Sequence, residues 1–225
     1  MIIDNTNPNY RIVKDFLSPE EFNKIRNDIV TQTEAHWDHE FNVSYPKQEE
    51  VTDDYWTGIK DWKGMSINLS PHKRAILEQN NLDLTMYYKI LEDAKLQIEE
   101  RFNTKVKNEQ YLLNRWRVGR EQRPHVDYVL DNEENNYDNM HEFGMTDEYI
   151  ELFKQNYKTK HFSTMIYINS DFDGGELYFP HYDNLHIKPE DNMMICFKGD
   201  SNHMHGVEKV TSGIRYTLSL FWTEI

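Results

Sequence analysis

From residue 111 almost to the end, short β-rich segments follow one another, and this run constrains the fold more than any other feature. YLLNRWRV (111–118), HVDYVL (125–130), FSTMIYIN (162–169), GELYFP (175–180), NMMICF (192–197) and RYTLSLFW (215–222) are rich in β-branched and aromatic residues and bounded by turn formers. The first half reads differently. YRIVK (10–14) predicts a short strand. FLSPEEFNKIRNDIV then predicts a helix with a defined start: Ser18 as N-cap, Pro19 at the first helical position and Glu21 closing a capping box. Phe22, Ile25 and Ile29 give it an apolar stripe. Residues 83–103 predict a longer amphipathic helix buried through Leu84, Tyr87, Ile90, Leu91, Ala94 and Ile98. Helices first and strands after point to a mostly-β fold, a sandwich or jelly roll with supporting helices on one side. Residues 33–63 have no decisive periodicity, and no internal repeat is visible.

A chain of 225 residues, 38% hydrophobic, suits one globular domain with extensions. Its net charge of −14 argues against a nucleic-acid partner, because phosphate contact needs a basic stripe and the 25 Lys and Arg are scattered among 39 acids. Cys196 is the single cysteine and lies in the apolar run MMICF, which suits a core residue and a reducing cytosol. No secretory leader and no membrane-length apolar run are visible, so a cytoplasmic protein without a membrane partner is expected. Residues 129–161 separate two predicted strands by far more than a hairpin needs. They read either as a solvated acidic insertion with a short helix near 147–157, or as a lid.

Three His-x-Asp tripeptides compete as halves of a metal site: His36/Asp38, His125/Asp127 and His181/Asp183. Composition alone predicts roughly 0.8 of them by chance, so the neighbours must decide. His125 and Asp127 fall on a predicted strand, where residues two apart share a face. A second histidine would complete a two-histidine, one-carboxylate triad of the kind that leaves iron(II) with open positions. His205 and His203 can supply it, in SNHMHGVEKVTSGIRYTLSLFW. The last strand alternates cleanly: Arg215, Thr217, Ser219 and Phe221 face one way, and Tyr216, Leu218, Leu220 and Trp222 the other. An arginine and two hydroxyls on an inward face suit a polar guest, because a guanidinium grips a carboxylate with two parallel hydrogen bonds. His36/Asp38 precedes the predicted sandwich, and His181/Asp183 sits in an apparent turn. Both read as surface or packing pairs, as do His141, His161 and His186.

His125-x-Asp127, then His205, then Arg215 ten residues later, resembles the iron(II)/2-oxoglutarate-dependent dioxygenases, and the prolyl 4-hydroxylase-like branch in particular. YRIVKDFLSPEEFNKI, NRWRVGREQRPHVD, MIYIN, DGGELYFP and HGVEKVTSGIRYTLSLFW follow in that branch's order, while residues 33–80 match nothing in it. The resemblance implies a double-stranded β-helix (jelly-roll) core over 105–225, carrying 129–161 as an insertion or lid. Residues 1–104 would supply the N-terminal strand and supporting helices of the same domain. It implies His125, Asp127 and His205 as iron ligands, with His205 preferred to His203 for its distance to Arg215 and the Gly-Val that follows. Arg215 would anchor the far carboxylate of 2-oxoglutarate. Tyr167 would support that carboxylate, Ser219 would line its pocket, and Trp116 would stand where many relatives have a tyrosine.

The implied reaction consumes 2-oxoglutarate and O2, releases succinate and CO2, and hydroxylates an unactivated C–H bond, with ascorbate as a further accessory. The branch favours a prolyl residue in a peptide or protein. A free amino acid or other small metabolite is the alternative substrate. Two rivals belong to other classes. A non-catalytic jelly-roll binding module needs neither triad nor arginine. A zinc hydrolase needs a general base that is not evident here. The sequence does not address oligomeric state.

Overall fold

The computed structural model describes residues 1–31, 66–71, 83–127, 147 and 161–225. Eleven strands and two α-helices lie among them. In chain order these are β1 (Ile2–Asp4), β2 (Tyr10–Lys14), α1 (Pro19–Thr31), β3 (Ser66–Asn68), α2 (Thr85–Phe102), β4 (Val106–Arg117) and β5 (Gln122–His125). There follow β6 (Phe162–Tyr167), β7 (Leu177–Phe179), β8 (Leu185–Ile187), β9 (Met194–Lys198), β10 (His205–Val207) and β11 (Ile214–Glu224). They form two antiparallel sheets. The major sheet runs β1-β2-β9-β6-β11-β4-β3 and the minor sheet β5-β10-β7-β8.

α1 begins where its capping box predicts. The Ser18 hydroxyl and backbone N–H donate to the Glu21 carboxylate, and the Glu21 N–H donates back to Ser18 Oγ at 3.3 Å. α2 ends at Asn103, which takes the left-handed conformation that closes many helices. Both helices bury their apolar stripes on one face of the major sheet. Ile25, Ile29, Ile90, Ala94 and Ile98 join Leu113, Ile166, Cys196, Leu218, Leu220 and Trp222 in one core. The opposite face of that sheet meets the minor sheet in a second core, in which Trp116, Tyr167, Ile195 and Phe197 pack with Leu177, Phe179, Ile187 and Val207. The fold is therefore mostly β, a jelly-roll sandwich with helices on one side.

β11 is the central strand that the alternation describes. Its register with β6 sets Thr217 opposite Tyr167 and Ser219 opposite Met165. Its register with β4 sets Arg215 opposite Trp116 and Thr217 opposite Asn114. The chain reaches β11 through a tight connection in which Ser212 bridges Asp173. Gly174 lies opposite it, in the β6–β7 connection. Its φ is +72°, and an added Cβ would lie 2.0 Å from the Lys209 carbonyl, so the DGG sequence there is a packing requirement.

Two expectations need correction. The strand expected over 125–130 ends at His125, and Asp127 lies in a bend beyond it. The Asp127 N–H donates to the Gly199 carbonyl at 2.9 Å, which ties the chain to the end of β9 and takes it out of the minor sheet. Asn68 and its neighbours form β3 within a stretch that the sequence left unassigned. His186, read as a surface or structural residue, is exposed in β8, with its ring stacked on Tyr178, in keeping with that reading. His36/Asp38, His141 and nearly all of the 129–161 stretch lie outside the described residues. No helix among the described residues is long and apolar enough to cross a membrane.

Candidate active site

The two sheets contribute different halves of the site. β5 and β10 pair antiparallel in the minor sheet, with His125 and His205 as direct partners. Such pairing sets side chains side by side, and the two imidazoles lie 4.4 Å apart. The bend after β5 brings Asp127 to both, with Oδ1 3.8 Å from His125 Nε2 and Oδ2 3.5 Å from His205 Nε2. One donor atom from each of the three residues lies within 4.8 Å of the others. Among the described residues this is the only such cluster of His, Cys, Asp and Glu.

The orientation of both rings follows from hydrogen bonds. His125 Nδ1 contacts the Arg123 carbonyl at 2.9 Å, and His205 Nδ1 contacts the His203 carbonyl at 3.0 Å. A carbonyl only accepts, so Nδ1 carries the proton and each Nε2 keeps its lone pair. Burial, with His125 beside it, lowers the His205 pKa to about 4 against the weaker pull of Asp127, so the ring is neutral near pH 7. Ser163 Oγ donates to Asp127 Oδ2 at 2.5 Å and fixes the carboxylate from the major sheet. Phe197 meets the His205 ring edge-on at 4.7 Å. Two imidazoles and one carboxylate in a nearly buried setting are a donor set suited to iron(II). An ion with bonds of about 2.1 Å draws adjacent ligand atoms to about 3 Å, so the observed spacings of 3.5 and 3.8 Å need only a small contraction.

His203, two residues before His205, does not join this cluster. It lies in a 3-10 turn (Ser201–His203), its Nδ1 is held by Asp200, and its Nε2 is buried without a hydrogen-bond partner. His181 and Asp183 sit in the turn after β7, with Asp183 at positive φ.

The second half lies on the inner face of the major sheet. Arg215 is 1% exposed. Its Nε donates to the Gly175 carbonyl at 3.0 Å, and its Nη2 lies 2.9 Å from Met165 Sδ. The guanidinium sits over the Trp116 ring at 5.2 Å and the Tyr167 ring at 5.3 Å. Trp116 thus makes a cation–π contact where a tyrosine would offer a hydroxyl. Among the described residues no carboxylate lies within ion-pairing distance of Arg215. Burial lowers its pKa, and Tyr167 and the field of Glu176 oppose that shift. The Tyr167 hydroxyl is fully buried and interacts electrostatically with the Arg215 guanidinium, but makes no hydrogen bond of regular geometry among the described residues. A buried cation and a buried hydroxyl on one face constitute an anion site. Ser219 lies further along that face and accepts from Asn114 Nδ2 at 2.8 Å, while Asn114 Oδ1 accepts from Ser66 at 2.6 Å.

The seven residues that the resemblance assigns to the site thus fall in two groups, His125, Asp127 and His205 at the β5–β10 pair and Trp116, Tyr167, Arg215 and Ser219 along β4, β6 and β11. Sequence reasoning missed Ser163, Met165, Asn114 and Gln122. Ser163 and Met165 share the inward face of Tyr167 at a spacing of two, and that signal could have found them. Gln122 donates its side-chain amide to His125 Nε2 at 3.1 Å, and nothing in its sequence context marks it.

Known proteins resemble this chain in part of its sequence or in its fold. A 71-residue stretch is 38% identical to mouse prolyl 3-hydroxylase 2, covering 30% of this chain and a tenth (10%) of that protein's length. The whole fold is similar to the viral collagen prolyl hydroxylase of Paramecium Bursaria Chlorella virus-1, with 15% identity, 96% of each chain covered and a TM-score of 0.56. It is equally similar to a Trichoplax adhaerens prolyl hydroxylase in complex with a hypoxia inducible factor peptide, with 12% identity, 97% and 85% of the two chains covered and a TM-score of 0.56. The model of one enzyme family spans residues 111–223, from β4 through the histidine–aspartate cluster to the end of β11, and by that match the chain belongs to the 2OG-Fe(II) oxygenase superfamily.

Proposed function

We propose that this protein hydroxylates an unactivated C–H bond of a prolyl residue in a peptide or protein, using iron(II), 2-oxoglutarate and O2. The observation that carries the reading is the buried Arg215 beside the Tyr167 hydroxyl, set between the same two sheets as His125, Asp127 and His205. Bound iron would supply the oxidising power that no side chain has. His125, Asp127 and His205 hold the metal and act as neither acids nor bases. Arg215 grips the far carboxylate of 2-oxoglutarate by a charge-assisted fork. Tyr167 donates to the same carboxylate, and Thr217 and Ser219 line the pocket. Trp116 backs the guanidinium with its ring face. Ser163 keeps Asp127 in a ligating orientation.

The prolyl substrate is supported by the sequence match to a prolyl 3-hydroxylase and by the two structural relatives. Which prolyl carbon is hydroxylated is read from the product isomer. A free amino acid or small metabolite is the competing substrate within the same chemistry. The rest of the proposal is a single domain over 1–225, with residues 129–161 as its lid, a cytoplasmic site of action and ascorbate as an accessory reductant.

The first experiment adds iron(II) and 2-oxoglutarate to metal-stripped protein without oxygen and follows the weak visible band of the chelate. The band is expected in the wild type and absent from Asp127→Ala and His205→Ala. A folded wild type without a band moves the reading to a non-catalytic binding module. Mass spectrometry of proline-containing peptides after aerobic turnover then tests the substrate. Succinate release at the wild-type rate by Asp127→Ala refutes the ligand assignment.

A further inference from the structure

We propose that Gln122 guards the metal centre: its amide occupies His125 Nε2 and must be displaced when a metal takes that atom. The inference rests on reading His125, Asp127 and His205 as metal ligands.

The local geometry carries the idea. The His125 Nδ1 proton is committed to the Arg123 carbonyl, so Nε2 has one lone pair to offer. Gln122 Nε2 donates to that lone pair at 3.1 Å. The same lone pair must bind a metal, and it cannot serve both. The hydrogen bond therefore competes with the ion, while the Arg123 carbonyl keeps the ring in its tautomer and orientation.

Gln122 reaches His125 only because β5 is irregular. In a regular strand, residues three apart point to opposite faces. Here His205 pairs with His125 and Val207 pairs with Gln122, so two steps on β10 face three on β5. The extra residue is a bulge, the device by which strands next to active sites re-aim a side chain. It turns Gln122 onto the ligand side. His125 is also the outermost of the three candidate ligands, with a side chain 13% exposed against 6% and 7% for His205 and Asp127. A guard at His125 thus stands at the more accessible edge of the cluster.

The test is a Co(II) titration of metal-stripped protein, with wild type, Gln122→Leu, Gln122→Met and Asp127→Ala compared. Neither Leu nor Met can donate a hydrogen bond, and the unbranched Met retains the side-chain length if Leu packs badly on the strand. A net neutral hydrogen bond is worth roughly fivefold in an equilibrium constant, so both Gln122 variants are expected to bind Co(II) about fivefold more tightly. Packing damage would weaken binding, so a gain in affinity isolates the competition. Unchanged or weaker Co(II) binding by the folded Gln122 variants overturns the inference. If Asp127→Ala abolishes Co(II) binding in that case, the ligand reading stands without the guard. Co(II) binding that survives Asp127→Ala overturns both.

Discussion

Replacing Arg215 by methionine separates the role of this residue in the fold from its proposed role in binding. The guanidinium is 1% exposed and has no ion-pair partner among the described residues, so its desolvation costs several kcal/mol. Against that cost stand a hydrogen bond to the Gly175 carbonyl, a long one of 3.5 Å to Thr217 Oγ1, a contact with Met165 Sδ and two cation–π contacts. The bond to Gly175 contributes about 1–2 kcal/mol and each ring contact about 1 kcal/mol. The two sides nearly cancel. A methionine of similar length removes both, so without ligand the variant is expected to be between equally stable and about 2 kcal/mol more stable. With 2-oxoglutarate the order reverses. Two charge-assisted bonds at about 1.5–3 kcal/mol each correspond to a loss of affinity of roughly a hundredfold or more.

Urea unfolding in the presence of Mn(II), with and without 2-oxoglutarate, reads both effects. At a hundred times its dissociation constant the co-substrate stabilises the wild type by about 2.7 kcal/mol, and at the same concentration a hundredfold weaker variant gains only about 0.4 kcal/mol. A variant that loses several kcal/mol without ligand, yet keeps the full 2-oxoglutarate increment, would show Arg215 to be a structural residue and refute the anchor.

Two further outcomes test other parts of the molecule. Ser163→Ala removes the 2.5 Å donor to Asp127 Oδ2 and is expected to weaken Co(II) binding about 10- to 100-fold, as is common when a partner of a ligand is lost; unchanged affinity removes Ser163 from the site. At the start of α1, the Lys89 ammonium and then the Ser18 donors lower the Glu21 pKa to about 2. A carboxylate whose folded pKa is lowered contributes stability above its unfolded pKa of about 4.5, and that contribution fades as the pH falls toward 2. The Lys89 side chain is 48% exposed, so solvent limits the ion pair to about 1 kcal/mol at most. Urea midpoints measured from pH 6 down to about 2.5 should fall more steeply for wild type than for Glu21→Gln, and parallel curves would remove the assignment.

What the sequence revealed and what it hid divide along local and non-local lines. Ser18, Pro19 and Glu21 announce α1 because capping is settled within four residues. The alternation from Arg215 to Trp222 separates the two faces of β11 because both sides of that strand are buried against different chemistry. The minor sheet was harder to see. β5 and β10 are four and three residues long, too short for periodicity to appear. Strand reasoning put His125 and Asp127 on one face; they do converge, but through a bend held by Gly199. The missing residues of the site depend on pairings distant in sequence. Asn114 meets Ser219 across 105 positions and Ser163 meets Asp127 across 36, so the alternation that puts Ser163 on the face of Tyr167 does not reveal which residue it serves. The bulge that aims Gln122 likewise exists only in the register between β5 and β10.

The division of the site between two sheets has an energetic consequence. The histidines belong to the minor sheet, and Asp127 follows it in sequence but is hydrogen-bonded from β6 and from the end of β9. Arg215, Tyr167, Trp116 and Ser219 belong to the major sheet. Between them the second core holds the sheets together with aromatic contacts, among them Phe179 edge-on to Phe197 at 5.2 Å and Phe197 edge-on to His205 at 4.7 Å. On the proposed reading, 2-oxoglutarate would span this division, chelated with the metal at one end and gripped by Arg215 at the other. Its binding would then cross-link the two sheets and relieve the buried cation in the same step. On the same reading the ligand would supply the counter-ion that the Arg215 charge lacks among the described residues and a regular partner for the Tyr167 hydroxyl. Both deficits lie on the sheet that the helices brace from behind, so the rigidity of that sheet keeps the groups from collapsing onto one another and leaves them available to a ligand.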